Sequence, residues 1–119
     1  EGEFARLTKC KDLDRVHGSM TLAKDIGCVV LRKGHTTVIT DGSMVWLNKT
    51  GNPGMAVGGS GDVLAGILVS ILGRGVAPLE AAAAAAWVHG TAGDLCASQM
   101  GQYAMGPMDL VQTLSELLP

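Results

Sequence analysis

The sequence predicts an α/β fold, and three of its features carry that prediction. A segment with helical spacing of apolar residues leads directly into a short run rich in β-branched residues, which is the order of elements in an α/β unit. An Asp41-Gly42 pair between two further β-prone runs predicts a hairpin. A glycine-rich loop then opens a region whose apolar residues repeat with helical spacing.

The first half of the chain is predicted to hold one helix, one strand and the hairpin. Apolar residues recur at three- and four-residue steps within residues 4–27, with a break near Gly18 and a natural stop at Gly27. Residues 28–31 form a continuous apolar run, which predicts a strand covered on both faces. The hairpin is expected over residues 37–49.

The second half is predicted to be helical after an irregular loop over residues 50–60. Residues 62–72 are apolar almost all round, so this helix is expected to be buried on most sides. Pro78 opens a long alanine-rich helix that continues to residue 99, and Pro107 opens a last helix that ends near residue 118.

Composition excludes several classes of function. The 119 residues are 47% hydrophobic and 17% charged, as in a globular domain. With 9 Lys and Arg against 11 Asp and Glu, the chain has no basic surface for nucleic acid.

Its longest apolar run is shorter than the ~20 residues of a membrane-spanning helix. No secretory signal is visible, so we expect a cytoplasmic protein, and the 3 widely spaced cysteines predict reduced, mostly buried thiols rather than a disulfide framework.

The glycine-rich loop is the first place where chemistry is expected. Residues 58–62 read Gly-Gly-Ser-Gly-Asp and open a helix, where the first N–H groups have no intrahelical acceptor and the helix dipole is positive. Glycines let phosphate oxygens approach such amides, and Ser60 adds a hydroxyl donor. The alternative is a tight turn in which Asp62 only favours the helix dipole. Neither a Walker A motif nor a dinucleotide fingerprint is matched.

Residues 52–66, Asn-Pro-Gly-Met-Ala-Val-Gly-Gly-Ser-Gly-Asp-Val-Leu-Ala-Gly, resemble the signature of the ADP- or ATP-dependent NAD(P)H-hydrate dehydratases, a branch of the ribokinase-like superfamily. Residues 33–37 (Lys-Gly-His-Thr-Thr), residues 1–7 and residues 86–90 (Ala-Trp-Val-His-Gly) resemble further family segments, in the family's order. The resemblance implies a ribokinase-like three-layer sandwich. Residues 1–119 would be only the C-terminal part of that domain.

The resemblance also implies what the domain does and with which residues. The family repairs hydrated NADH and NADPH: the nucleotide phosphorylates the ring hydroxyl, and loss of phosphate restores the dihydronicotinamide. Asp62 would be the catalytic acid/base and would bind the substrate together with Asn52 and Glu3. The residues implied for the nucleotide are Lys33, Gly34, His35, Thr36, Thr37, Gly59, Ser60 and Gly61.

Alternatives remain open for single residues and for the whole chain. Lys33 also fits an exposed charge at a strand end, and Asn52 fits a turn-former before Pro53. His89 and Asp94 lie on the alanine-rich helix, where we expect a hydrogen-bonded core histidine and a structural carboxylate. The alternative functions are a ribokinase-like small-molecule kinase and a non-catalytic nucleotide-binding fragment.

The expected small-molecule partners are the hydrated cofactor and ADP or ATP, with Mg²⁺ accompanying the nucleotide. No metal ligand can be assigned from the sequence. We expect a homo-oligomer, because a parallel sheet without its first βα units exposes a strand edge and apolar helix faces.

Overall fold

The computed structural model describes residues 14–118. The chain divides into two compact units, with the boundary between Asn48 and Lys49. Glu3 and the part of the first predicted helix before Asp14 lie outside the described residues.

The first unit begins with helix α1, Arg15–Ile26. The Asp14 side chain caps it by accepting a hydrogen bond from the His17 N–H, and Gly27 ends it with a left-handed φ of 68°. The cap bonds hold the pKa of Asp14 below its ordinary value. The predicted break near Gly18 is wrong, because the Gly18 N–H continues the helical ladder with a 2.8 Å bond to the Asp14 carbonyl.

Three strands follow α1 and form an antiparallel sheet in the order β1-β2-β3. They are β1 (Val30–Arg32), β2 (Thr37–Thr40) and β3 (Val45–Asn48). The predicted strand at residues 28–31 starts later than expected. Its residues are half-buried, so the expectation of a strand covered on both faces is wrong. Only the central strand β2, which has a partner on each side, carries fully buried side chains.

The predicted hairpin is confirmed, with β2 and β3 joined through Asp41 and Gly42. Gly42 has a φ of 100°, a conformation that side chains disfavour. The Asp41 carboxylate accepts 2.8 Å bonds from the Ser43 and Met44 N–H groups. These two bonds hold the pKa of Asp41 below its ordinary value.

The second unit is helical. The loop predicted to be irregular contains a short 3₁₀ helix, Pro53–Met55, and is followed by α2 (Ser60–Gly73), α3 (Pro78–Met100) and α4 (Pro107–Leu117). A core of Cys96, Met105 and Leu110 joins α3, the loop after it and α4. Buried alanines of α3 leave room for α2 to pack closely against it.

The expectation that α2 is buried on most sides is wrong. Among its residues only Ser60 and Leu64 are buried, and Val69 is 67% exposed. The reason is that α3 and α4 pack against one side of this helix within the unit, whereas apolar residues line its other sides as well.

Two glycines of α3 allow the loop before α2 to lie against the helix. A Cβ at Gly90 would overlap Thr50, and a Cβ at Gly93 would overlap the Met55 side chain. The expectation for the thiols holds for Cys96, which is free and buried, but not for Cys28, which is free and exposed. Within residues 14–118 no helix is both long enough and apolar enough to span a membrane.

Candidate functional site

The start of α2 has the geometry of an anion site. Gly59 precedes the helix with a φ of 94° and provides no side-chain cap. The Ser60 N–H bonds the Val57 carbonyl, and the Val63 N–H bonds the Gly59 carbonyl, both at 3.2 Å. The N–H groups of residues 61 and 62 come between Ser60 and Val63 in the chain. They precede Val63, the first of these residues whose N–H has a carbonyl acceptor four residues back. They are therefore available to an external acceptor at the positive end of the dipole.

Glycine at residues 58 and 59 serves two different needs. A Cβ on Gly58 would meet no other atom within 4 Å, so the space in front of this residue is open. A Cβ on Gly59 would lie 2.9 Å from the Pro107 ring, and the φ of this residue is positive. Gly59 thus has a structural requirement for glycine, whereas Gly58 leaves an approach to the backbone clear.

Ser60 is linked to the alanine-rich helix. Its side chain is buried, and its Oγ lies 3.2 Å from Nε2 of His89, which is half-buried. His89 therefore has the hydrogen-bonded core role expected for it. Because a neutral imidazole nitrogen either donates or accepts, the tautomer decides which way the Ser60 hydroxyl points. If Nε2 donates, the hydroxyl proton is free to point to an anion at the helix start.

Asp62 lies in the first turn of α2 and is exposed. Among the described residues its carboxylate makes no hydrogen bond or ion pair. A carboxylate without such a partner can accept a proton from a bound hydroxyl group. Its position in the first turn of the helix places it beside the free amides.

Asn52 organises the loop that leads to this helix. Its Oδ1 accepts a 3.0 Å bond from the Gly54 N–H, and its Nδ2 donates to the Gly93 carbonyl at 3.0 Å and to Asp94 Oδ1 at 3.1 Å. Asp94 also accepts from the Gly51 N–H at 3.0 Å. This geometry agrees with the turn-forming alternative for Asn52 and with a structural Asp94. A role of Asn52 in substrate binding stays a prediction.

The other predicted nucleotide residues lie in the first unit, in the turn between β1 and β2 and, for Thr37, at the first position of β2. Lys33, Gly34 and His35 are exposed, and Thr36 and Thr37 are half-buried. The Arg15 side chain, from the start of α1, donates to carbonyls of this turn. Lys33 is thus an exposed charge at a strand end, as its alternative interpretation expects, and it is also free to meet a ligand.

The structure gathers four of the predicted residues at one helix end, and five in the turn between β1 and β2 together with the first residue of β2. The first group is Gly59, Ser60, Gly61 and Asp62, and the second is Lys33, Gly34, His35, Thr36 and Thr37. The hydrogen bonds of Arg15 to the turn and the contact between Ser60 and His89 were not predicted from the sequence. A cation at the first position of a helix, where the dipole disfavours it, was a signal for Arg15.

Within residues 14–118, no group of three or more His, Cys, Asp or Glu side chains is placed to hold a metal ion. The second unit also contains a groove of about 570 Å³ along α2. Its walls are mostly apolar, and its ends are marked by Asp62 and Arg74.

Comparison with known protein families gives a match over nearly the whole chain. The family described as NAD(P)H-hydrate dehydratase matches residues 1–116. The bifunctional NAD(P)H-hydrate repair enzyme Nnr of Moorella thermoacetica is 47% identical over 123 residues, which cover 98% of this chain and 23% of that protein. The ADP-dependent (S)-NAD(P)H-hydrate dehydratase of Cenarchaeum symbiosum is 42% identical and covers 98% of this chain and 42% of its own length.

Solved structures agree with these relatives. The ADP/ATP-dependent NAD(P)H-hydrate dehydratase of Bacillus subtilis, co-crystallised with ATP and Mg²⁺, superposes with a TM-score of 0.90 at 29% identity, over 98% of this chain and 45% of its own. A ribokinase-like superfamily protein of Enterococcus faecalis gives 0.83 at 30% identity, over 98% and 40%. The predicted ribokinase-like α/β fold is therefore confirmed. The chain spans less than half of each of these proteins.

Proposed function

Because this chain belongs to the NAD(P)H-hydrate dehydratase family, we propose that the protein containing it uses ADP or ATP to dehydrate hydrated NADH and NADPH back to NADH and NADPH. The observation that carries the proposal is the start of α2, where an exposed carboxylate, Asp62, follows free amides at a glycine-lined helix end. Proton acceptor and anion-binding donors are thereby combined in a few consecutive residues.

The local geometry suits phosphoryl transfer to a hydroxyl group. The ring hydroxyl attacks the terminal phosphorus of the nucleotide, its proton passes to Asp62, and the bond to the leaving nucleotide oxygen breaks. The amides at residues 61 and 62 would stabilise the negative charge that develops on the phosphoryl oxygens. Phosphate then leaves the ring carbon, a proton leaves the neighbouring carbon, and the ring double bond is restored.

The described residues fit a nucleotide at this helix end. The open space in front of Gly58 and the uncapped N–H groups are what a phosphate requires. Mg²⁺ would accompany the nucleotide on its phosphate oxygens, since the described residues hold no cluster of three or more His, Cys, Asp or Glu side chains for a metal. When bound, the ion would neutralise phosphate charge. The nucleotide roles of residues 33–37 in the first unit remain part of the proposal.

The contact between Ser60 and His89 would affect how strongly the same helix end binds an anion. With Nε2 of His89 donating to Ser60 Oγ, the serine hydroxyl donates its own proton to a phosphate oxygen. With the other tautomer the serine donates to histidine instead and offers the phosphate only lone pairs. The first arrangement favours an anion, so phosphate binding should select it.

We also propose the setting in which this chain works. The share of its relatives that it covers supports residues 1–119 as part of a larger ribokinase-like domain, and their place at its C-terminal end stays a prediction. A metabolic role on nicotinamide cofactors fits the cytoplasm.

Exposed apolar side chains on α2 and α4 support assembly into a homo-oligomer, among them Val69, Leu72, Met108 and Val111. Light scattering would test this, and a monodisperse monomer would contradict it.

The decisive experiment uses a complete family domain that contains this chain. Hydrated NADH is incubated with ATP or ADP, and both the dihydronicotinamide absorbance and free phosphate are followed. We expect the two products to appear together. A stable phosphorylated substrate without restored absorbance would instead identify a small-molecule kinase, and nucleotide binding without turnover would identify a non-catalytic fragment.

A further inference from the structure

We propose that Arg15 is the positioning residue of the turn between β1 and β2, and that it holds the backbone of this turn in the conformation that receives the nucleotide. The inference rests on the proposed function for the identity of the ligand. Its structural part, the control of the turn by Arg15, does not depend on that function.

One nitrogen of the Arg15 guanidinium reaches three carbonyl groups of the turn. Nη2 lies 3.3 Å from the Arg32 oxygen, 3.3 Å from the Lys33 oxygen and 3.0 Å from the Thr36 oxygen. These carbonyls stand at both ends of the turn, 17 to 21 residues away from Arg15 in sequence. A single side chain therefore fixes where the turn leaves β1 and where it enters β2.

These contacts also orient the amides of the turn. In a trans peptide the N–H points away from the C=O of the same peptide group, and no described peptide is cis. Because the carbonyls of Arg32 and Lys33 point to the guanidinium, the N–H groups of Lys33 and Gly34 point away from it. Both residues are exposed, so their donors face the side from which a ligand approaches. Arg15 thus determines which face of the turn donates hydrogen bonds.

Gly34 shows how closely the turn lies over the guanidinium. A Cβ at this position would stand 2.6 Å from Nη2 and 2.9 Å from both Cζ and Nη1 of Arg15. Its φ lies outside the left-handed region, so the backbone itself does not demand glycine. The atoms in the way are the end of the flexible Arg15 side chain, so an alanine would displace the guanidinium from the carbonyls rather than strain the backbone.

The place of Arg15 on α1 argues that it is there for the turn. It is the first helical residue, and no acidic residue occupies the first turn of this helix. A cation there works against the helix dipole. All three contacts come from Nη2 at the far end of the guanidinium, and the ammonium of a lysine ends closer to its own backbone, so it would reach these carbonyls less well.

The test compares Arg15→Met, Arg15→Lys and Gly34→Ala with the control Lys24→Met, which removes an exposed positive charge from the same helix. Amide hydrogen exchange of residues 32–37 is measured with and without ADP and ATP, and nucleotide Kd is measured by calorimetry. Thermal unfolding is recorded for every variant, since a merely structural role would appear there first.

We expect exchange in residues 32–37 to quicken about tenfold in Arg15→Met and Gly34→Ala, the factor for losing roughly one net hydrogen bond. Nucleotide Kd should rise about tenfold to a hundredfold. Arg15→Lys should rescue only part of either loss, and combining Arg15→Met with Gly34→Ala should add little to each alone. Lys24→Met should match the wild type.

Unchanged exchange in residues 32–37 of Arg15→Met would overturn the inference, whatever the nucleotide does. Faster exchange over all of α1 with a large fall in Tm would also overturn it, because Arg15 would then support the helix rather than the turn. Absence of nucleotide binding by the wild type would count against the proposed function alone, since the exchange measurement still decides the role of Arg15.

Discussion

Two of the glycine-containing segments, residues 58–61 and the turn between β1 and β2, are shaped in different ways. The segment at residues 58–61 takes its form from its own backbone: Gly59 has a positive φ, Ser60 bonds Val57 three residues back, and the helix starts at once. The turn between β1 and β2 is held from outside, by the guanidinium of Arg15. One loop is local in origin, and the other depends on a side chain far away in sequence.

This difference determines how each loop responds to mutation. A locally shaped loop is sensitive at its own glycines and at the residues that follow them. A loop shaped from outside keeps its strand ends but loses its conformation when the remote side chain changes. Asp62→Asn and Gly59→Ala test the helix start itself.

The largest effect is expected for Asp62→Asn. The change keeps the size of the side chain and removes the proton acceptor. Turnover of hydrated NADH in a complete family domain should fall ~10² to 10⁴-fold, or roughly 3 to 5 kcal/mol of barrier. Nucleotide affinity should be kept or increased, since a negative charge beside phosphate is removed. Single-turnover kinetics and calorimetry measure the two effects, with Asp25→Asn as an exposed control on α1. Near-normal turnover would reduce Asp62 to a residue that favours the helix dipole.

The next effect is the destabilisation caused by Gly59→Ala. The new Cβ must accept a φ of 94° and lie 2.9 Å from the Pro107 ring. We expect the free energy of unfolding to fall by about 1 to 3 kcal/mol. Gly58→Ala is the matched control, because its Cβ meets no atom within 4 Å, and its unfolding should change little. Urea denaturation compares the two, and equal losses would show that the helix start is not shaped by Gly59.

A smaller effect is expected for Asn52→Ala, which removes the bonds from the loop to the Gly93 carbonyl and to Asp94. Because these groups are partly open to water, the loss should be about 1 to 2 kcal/mol of stability. Substrate KM in a complete domain separates the two interpretations of Asn52. An unchanged KM with lower stability supports the turn-forming role, and a raised KM with unchanged stability supports substrate binding.

The smallest effect is the weakening of the Asp41 turn in acid. Bonds from the Met44 and Ser43 N–H groups lower the pKa of Asp41 in the folded chain below its ordinary value. Their contribution to stability is therefore complete above that value and is lost as the pH falls through the lower folded pKa. The protection of the residue 43 and 44 amides against exchange, relative to an unstructured peptide at the same pH, should fall down this range, while in Asp41→Asn this protection should not depend on pH. A wild type as insensitive as the variant would contradict the prediction.

Much of the fold was predictable because its signals are local. Asp41 and Gly42 specify their hairpin within a few residues, and Pro78 and Pro107 mark helix starts that the structure places at the same residues. The low burial of α2 was not predictable from the sequence. An apolar residue such as Val69 does not by its type show whether neighbouring elements cover it in the fold. The half-buried state of the β1 residues was not predictable for the same reason.

The candidate site divides in the same way. The sequence by itself determined the helix start with Ser60 and Asp62, because capping, the helix dipole and glycine conformation act between near neighbours. Only the tertiary structure decided that Ser60 bonds His89, 29 residues away, and that Arg15 holds the turn before β2. Such contacts depend on how helices and strands pack, and packing is settled by the whole set of side chains rather than by the spacing within any one segment.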